Sequence, residues 1–457
     1  MNTPLLDAVL RQFTLAAMVL PDPRPRAKVI DLGLARLCGA KPKTVTSALG
    51  WLQQDQQDWS DDYRLFSQTQ WDPKLLLAPL FQQLVRPAVA TAQTVYVGQD
   101  DTLLRKAGKR IPGTSWARDP LGPPFQVNLV WAQRFVQTSV LLQPQGDTHP
   151  WRAIPTQFTH APTPKAPRQA TPEELALFRQ ERKKRRLSLV ALDQLAACRQ
   201  QLDRIPGGER CALTALVDGG YANRTYFSGL PANTRAVARF RKDARLRAYL
   251  PAEQRQGARK YGADLPTPLE YLQAPGLPWQ AATLFIAGQA RTLHYKEVSP
   301  VCWPGGTQTR PVRLIVIKAA GYRLRKGSKL LYREPAFLIT TDLTTPAAEL
   351  LAAYVARWEV EVNFRDEKTL LGVGQAQVRN PNSVQRAPLF LVGCYAILLF
   401  CCLGVYGDRR TKDFAPLPKW RTQTPLRPST RDLLVQLRKE AAQYPEQRQQ
   451  LNPLCRN

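Results

Sequence analysis

Tyr354, Arg357, Glu361 and Lys368 follow one another at steps of three, four and seven residues. On a helix expected over 346–371, at 100° per residue, they fall within an arc of about 60°. One face thus presents a carboxylate, two cations and a phenol. Arg365 lies one turn beyond Glu361, beside the arc, while Val360, Phe364 and Leu371 group on a flank that can enter a core. A solvated face of i,i+4 ion pairs would have the same composition. Two further acids sit at expected strand ends. The apolar run Cys211–Val217 has the length of a buried strand and stops at Asp218-Gly219-Gly220-Tyr221. In α/β folds, reactive groups stand at such strand ends. Val95-Tyr96-Val97 leads into Asp100-Asp101-Thr102. Neighbouring strand residues face opposite ways, so one of Asp100 and Asp101 is expected to join the other acids. Carboxylates are hard oxygen ligands, suited to magnesium rather than to soft metals.

The elements that must position these groups lie in a chain of 457 residues, long enough for two to four units. Hydrophobic residues make up 44%, enough for a substantial core. Lysine and arginine number 64 against 36 acids, a formal charge of +28. A polyanionic partner is implied, most commonly nucleic acid, because neutralising each phosphate releases a counterion. A ribosomal or membrane-surface protein would share the excess. Eight cysteines form no CxxC pair and only three histidines are present, which argues against zinc. Cys394, Cys401 and Cys402 lie in an apolar run and read as buried thiols of a reducing compartment. Phe13–Leu20 lacks the flanks of a signal peptide. Leu389–Val405 is 17 nearly all apolar residues, short of the roughly 20 a membrane span needs, and is expected to be a buried core helix.

Residues 1–90 read as a helical domain. The break at Gly39, followed by Lys41-Pro42-Lys43-Thr44 before a second helix, fits a DNA-binding helix-turn-helix or a plain helical hairpin. Residues 91–242 open with strands near Val95, over Phe125–Trp131 and over Phe135–Leu142, in a meander. A proline-rich linker is expected at 143–172. A helix to about Gln201 then begins with the basic run Arg182–Arg186, either a solvated face or a phosphate-contacting one. Residues 243–340 read as strands, 341–405 as helices, and 406–457 as a basic tail with one helix near Ser429–Ala442.

The ungapped run from Tyr354 to Lys368, continuing into Leu371-Gly372, resembles the Tyr-Arg-Glu-Lys signature of the large insertion-sequence-four family of bacterial DDE transposases. Asp218-Gly219-Gly220-Tyr221 and Asp100-Asp101-Thr102 are similar to the family's other two acidic motifs. The resemblance spans roughly 94–142 and 211–405 and is poor over 1–90 and the tail. It implies an α/β, ribonuclease-H-like catalytic core in two parts, 91–242 and 341–405, split by a β insertion at 243–340 and preceded by an N-terminal helical domain. It implies catalytic, metal-holding carboxylates at Asp100, Asp218 and Glu361, with Asp101 as the alternative first acid, and two magnesium ions for which manganese substitutes. Tyr354, Arg357, Lys368 and Arg365 would contact DNA.

The implied activity is binding of transposon ends, metal-dependent cleavage and joining to target DNA, with a hairpin as one route. A hairpin needs a flipped base, and an aromatic ring can stack on it. Trp303 and Trp279 are candidates, although packing roles are the commoner fate of such rings. A homodimer in the DNA complex, a cytoplasmic, nucleoid-associated location and no membrane partner complete the expectation. The alternatives are a catalytically silent DNA-binding protein of the same descent and a non-transposing nuclease on the same fold.

Overall fold

The computed structural model describes residues 3–39, 44–119, 122, 126–143, 151–257, 259–286, 288–322, 329, 331–332, 334–421 and 423–446. Lys41–Lys43 and Phe125, named above, lie outside them, as do 144–150 of the proline-rich stretch and the tail from 447.

Five helices come first: α1 (Pro4–Ala17), α2 (Arg26–Cys38), α3 (Val45–Trp51), α4 (Ser60–Ser67) and α5 (Ala78–Ala90). Strands β1 (Val95–Arg105), β2 (Ser115–Arg118), β3 (Leu129–Leu142) and β4 (Arg152–His160) follow, then α6 (Pro172–Lys184) and α7 (Leu187–Asp203). Next come β5 (Leu213–Val217), α8 (Arg224–Ser228), β6 (Thr234–Arg239), β7 (Leu246–Ala248), β8 (Asp264–Leu265) and α9 (Pro268–Gln273). Strands β9 (Gln280–Ile286), β10 (Gln289–Cys302), β11 (Pro311–Ile317), β12 (Gly321–Tyr322), β13 (Leu331–Tyr332) and β14 (Ala336–Thr340) lead to α10 (Ala347–Ala356), α11 (Trp358–Thr369), α12 (Pro381–Tyr406) and α13 (Thr430–Glu440).

One mixed sheet of twelve strands organises the chain, in the order β2-β3-β1-β5-β6-β14-β11-β10-β7-β8, with β4 on β3 and β9 on β10. Strands β4, β3 and β1 are antiparallel, and β5 and β6 then run parallel to β1. This mixed α/β arrangement is consistent with the ribonuclease-H-like expectation. Strand β14 pairs antiparallel with β6, so strands between 243 and 340 prolong the same sheet.

Each sheet face is buried under helices. Tyr96, Leu216, Val237, Ile315 and Leu338 pack against Leu350, Leu351 and Val360 of α10 and α11. Val95, Val97, Ala215 and Val217 face the other way, into a core shared with α7, α8, the N-terminal helices and α12. The alternation of side chains along each strand divides the two sets. Helix α12 is long and apolar enough to cross a membrane by length and composition. Most of it is buried here, with residues from Val392 to Leu399 enclosed by α1, α2, α4 and β4, as a core helix should be.

Three expectations change. Residues 152–160, read as part of a linker, form β4. Pro155 hides the strand in the sequence, but it sits opposite Ser139 at a register shift on an edge strand, where no ladder N–H is needed. The two strands expected over 125–142 are one strand, β3, from Leu129. The single helix expected over 346–371 is two, because Arg357 N–H bonds to Tyr354 O and Val360 N–H to Arg357 O, three residues back instead of four.

Candidate functional site

Gln99 of β1 pairs with Val217 of β5 in parallel register, so Asp218, just past the end of β5, stands beside Asp100, which lies within β1 rather than after it as the sequence suggested, because pairing with β3 carries the strand on to Arg105. Strand neighbours are about 4.8 Å apart, close enough for two carboxylates to serve one ligand. Asp218 is exposed and ends a strand whose five residues are all buried. Asp100 faces α10 and α11. Gly98, two residues earlier on the same face, permits the approach: a Cβ there would lie 2.7 Å from Val360 Cγ2. Helix α11 therefore sits unusually close to β1 and delivers Glu361 to the same side.

Arg357, at the tight turn between α10 and α11, ties the acids together. Its Nη1 donates to Asp100 Oδ2 at 2.9 Å and its Nη2 to Glu361 Oε1 at 3.1 Å. The Tyr354 hydroxyl donates to Val217 O at 3.3 Å, against the residue before Asp218. Helix α11 is itself pinned: Asn363 donates to Ala153 O, Tyr395 donates to Asn363, Arg427 pairs with Glu359 at 2.7 Å and Thr430 donates to Asp366.

The electrostatics follow from burial. Loss of water raises the Asp100 carboxyl to about 6, against the opposing pull of Arg357, with the charges of Asp101 and Asp218 adding to the rise. Burial also raises Glu361, again opposed by Arg357, and pushes the Tyr354 phenol up to about 12. Asp101 is raised by burial too, but its company differs. It points to the opposite sheet face, where Arg134 Nε lies 3.5 Å from Oδ2 and the buried Tyr221 ring closes the space. Arg134 was not legible from the sequence. Its signal is a cross-strand diagonal: Asp101 pairs with Val136, and Arg134 is two residues along the same face.

The remaining expected contact residues are not gathered with the acids. Lys368 is two turns along α11, roughly 10 Å of helix rise from Glu361. It is half-buried with Nζ 5.9 Å from the Phe364 ring centroid, and burial lowers its pKa. The charges of Arg105 and Asp119 act on it, which places it near the far end of β1. Arg365 is exposed and pairs with its neighbour Asp366 at 2.9 Å. Trp303 is 9% exposed and meets Phe227 and Phe240 edge-to-face, so as a platform for DNA it is corrected to a packing residue: no face of its ring is free. Trp279 lies under Lys296 and Lys318, with Lys296 Nζ 4.6 Å from its centroid. Lys296 donates to Tyr271, Leu272 and Ala274 carbonyls, and so holds the end of α9.

Asp100 within β1 and Asp218 just past the end of β5, with Glu361 facing them from α11, make an oxygen-only acid set of the kind a hard cation binds. Residues 24–310, more than half of the chain, match the family described as DDE superfamily endonuclease. The chain belongs to that family. No curated protein matches it. The matched span of this DDE endonuclease includes Asp100, Asp101 and Asp218 and ends before Glu361. The family makes DNA the substrate class and nuclease chemistry of the transposase type the activity class. DDE-type endonucleases generally use divalent metals. Among the described residues, no three side chains of His, Cys, Asp or Glu already close around one point. The guanidinium of Arg357 lies between Asp100 and Glu361, where it supplies the positive charge those acids share. The donor set, oxygen only and partly exposed, fits a hard divalent cation.

Proposed function

We propose that this DDE endonuclease is a transposase of the insertion-sequence-four type, which cleaves transposon-end DNA and joins it to target DNA. The observation that carries the reading is the juxtaposition of Asp100 and Asp218 with Glu361 across from them, bridged by Arg357. The helix signature supports the type, since Tyr354, Arg357 and Glu361 act within one cluster.

Asp100, Asp218 and Glu361 would hold divalent magnesium, or manganese in its place; two such ions activate water and stabilise the leaving oxygen. In cleavage, water adds to phosphorus and the bond to the 3′ oxygen breaks, leaving a 3′ hydroxyl and a 5′ phosphate. In joining, that hydroxyl adds to a target phosphodiester and displaces a second 3′ oxygen. Asp100 is the first acid because it shares a face with Glu361, and Asp101 orients the opposite face through Arg134. Arg357 holds Asp100 and Glu361 together at close range, and its guanidinium would suit a DNA phosphate brought to the same place. Tyr354 fixes the strand end before Asp218. Lys368, partly dehydrated, meets a phosphate further along the duplex, and exposed Arg365 adds to the backbone contact. Two ends are joined in one event, so the working form is a dimer on DNA, in the cytoplasm where the nucleoid lies. The N-terminal helices, 1–90, are the proposed end-binding domain.

The test is cleavage and joining of the element's own ends with and without magnesium. Magnesium-dependent nicking that is lost in Glu361→Gln supports the reading; full activity of that variant sinks it. Tight, specific end binding by the wild type without nicking would favour the silent DNA-binding alternative.

A further inference from the structure

At the far edge of the sheet, β2 and the start of β3 form a two-stranded projection with apolar side chains in solvent. Trp116 is 64% exposed, Leu129 51% and Val127 72%. Trp116 pairs directly with Trp131, and Arg118 with Leu129, so these four share one face. The rings of Trp116 and Trp131 meet edge-to-face at 5.5 Å, and Trp131 Nε1 donates to Gly108 O at 3.2 Å. Trp131 is thus fixed, and it props Trp116 with a broad ring face open. Lys165 Nζ stands 5.0 Å from the Trp131 centroid. Arg118 shares their face and Lys165 stands over Trp131, both exposed, as are Lys109 and Arg110 next to Gly108 in the chain, while Asp119 is buried and paired with Arg105.

A propped, exposed indole with Arg118 and Lys165 beside the pair is a poor core fragment and a good shelf for a nucleobase, since every base offers a π-face and its phosphates can meet the cations. The position relative to the acids is defined. Asp100 pairs with Gln137, and Trp131 lies six residues back along β3 on the same sheet face. At about 3.3 Å per residue that is roughly 20 Å, or roughly six nucleotide steps at 3.4 Å each. We propose that Trp116, backed by Trp131 and Lys165, is a second DNA contact that stacks an unpaired base roughly six nucleotides from the scissile phosphate. This rests on the DNA-cleaving reading and adds a site distinct from the acids.

The test uses the full chain and two labelled duplexes of equal length, one fully paired and one with a single unpaired thymine, at fixed salt. Wild type is expected to bind the second more tightly. Trp116→Ala loses about tenfold in affinity for it, in line with the loss of one base stack, and Trp116→Phe keeps most of it. The salt slope of Trp116→Ala stays that of wild type, and Lys165→Gln lowers it, because only the lysine releases a counterion. Thermal melting of each variant shows that the fold is retained. If wild type binds DNA and Trp116→Ala binds each duplex as tightly as wild type does, this inference fails and the cleavage reading stands. If wild type binds neither duplex, both fail. Loss of a dimer in Trp116→Ala with unchanged DNA affinity would assign the patch to a second copy of the chain and overturn the inference.

Discussion

The two faces of β1 are built from adjacent residues and do opposite things. On one face, Gly98 and Asp100 meet α11 and a set of acids held together by a single arginine. On the other, Gln99 sits in a closed polar network: its amide donates to Thr138 Oγ1 at 2.8 Å and Ala191 O at 2.9 Å, and Tyr226 donates to its carbonyl. Thr138 donates in turn to Gln194, and Gln194 to Val136 O and Thr159. The network is satisfied and enclosed, which fixes a strand rigidly. The acid face is half-open and gathers Asp100 and Glu361, both with raised carboxyl pKa values, about one arginine, the marks of a candidate ligand site. The lesson is that strand rigidity and strand reactivity are supplied by alternate residues of one segment.

Substitutions can separate the two faces. The largest expected effect is on the acid face: Asp100→Asn, Asp218→Asn and Glu361→Gln each lower cleavage on the order of a thousandfold, with melting temperature held or raised. Asp101→Asn, on the other face, keeps cleavage within about tenfold of wild type if its role is orientation through Arg134. Loss by Asp101→Asn with retention by Asp100→Asn would reverse the assignment. On the network face, Gln99→Leu leaves buried partners unsatisfied and is expected to cost about 3 kcal/mol in denaturant unfolding, while the folded fraction keeps cleavage within a few-fold.

The approach of α11 is tested by Gly98→Ala. The added Cβ drives Val360 away and lowers turnover by about tenfold through displacement of Glu361. Val360→Ala in the same chain restores room, and a double-mutant cycle reads the coupling. If the two changes add without coupling, the close approach is not what positions the helix.

Two smaller effects depend on pH. Glu367 of α11 is buried, and burial raises its carboxyl to about 8, eased by Gln137. Its folded value lies above the unfolded one, so its contribution to stability is full at low pH and is lost as pH rises through about 8. Glu367→Gln should therefore melt a few degrees above wild type at alkaline pH, with the gain shrinking toward pH 6. Asp100 has the same sign: its neutral form is favoured up to about 6, so cation affinity should fall as pH drops through that value. A fall that persists unchanged in Asp100→Asn would show that another group carries it.

Much of the strand and helix content was legible in residue patterns. The buried run before Asp218 and the helical spacing of Tyr354, Arg357 and Glu361 carry their periodicity locally. Strand β4 was not legible, because its alternation is broken by Pro155 and its place depends on a register shift in β3. Lys368 shows the limit of a helical wheel. It shares an arc with Glu361 in projection, yet the rise along the axis carries it away from the acids. Trp303 had the right residue type for stacking, but burial is a property of its neighbours Phe227 and Phe240, which lie 63 or more residues away in the chain.

The sequence by itself determined that this is a basic α/β protein with one acid ending a buried strand, another near a second strand and a third on a helix, because alternation and periodicity are encoded within a few residues. Only the tertiary structure decided which of Asp100 and Asp101 faces Glu361, since a strand shows both faces and the helix chooses one by packing on Gly98. It also decided that Arg357 bridges two acids and that Trp116 stands open in solvent. Those outcomes depend on contacts between residues far apart in the chain, which no local pattern records.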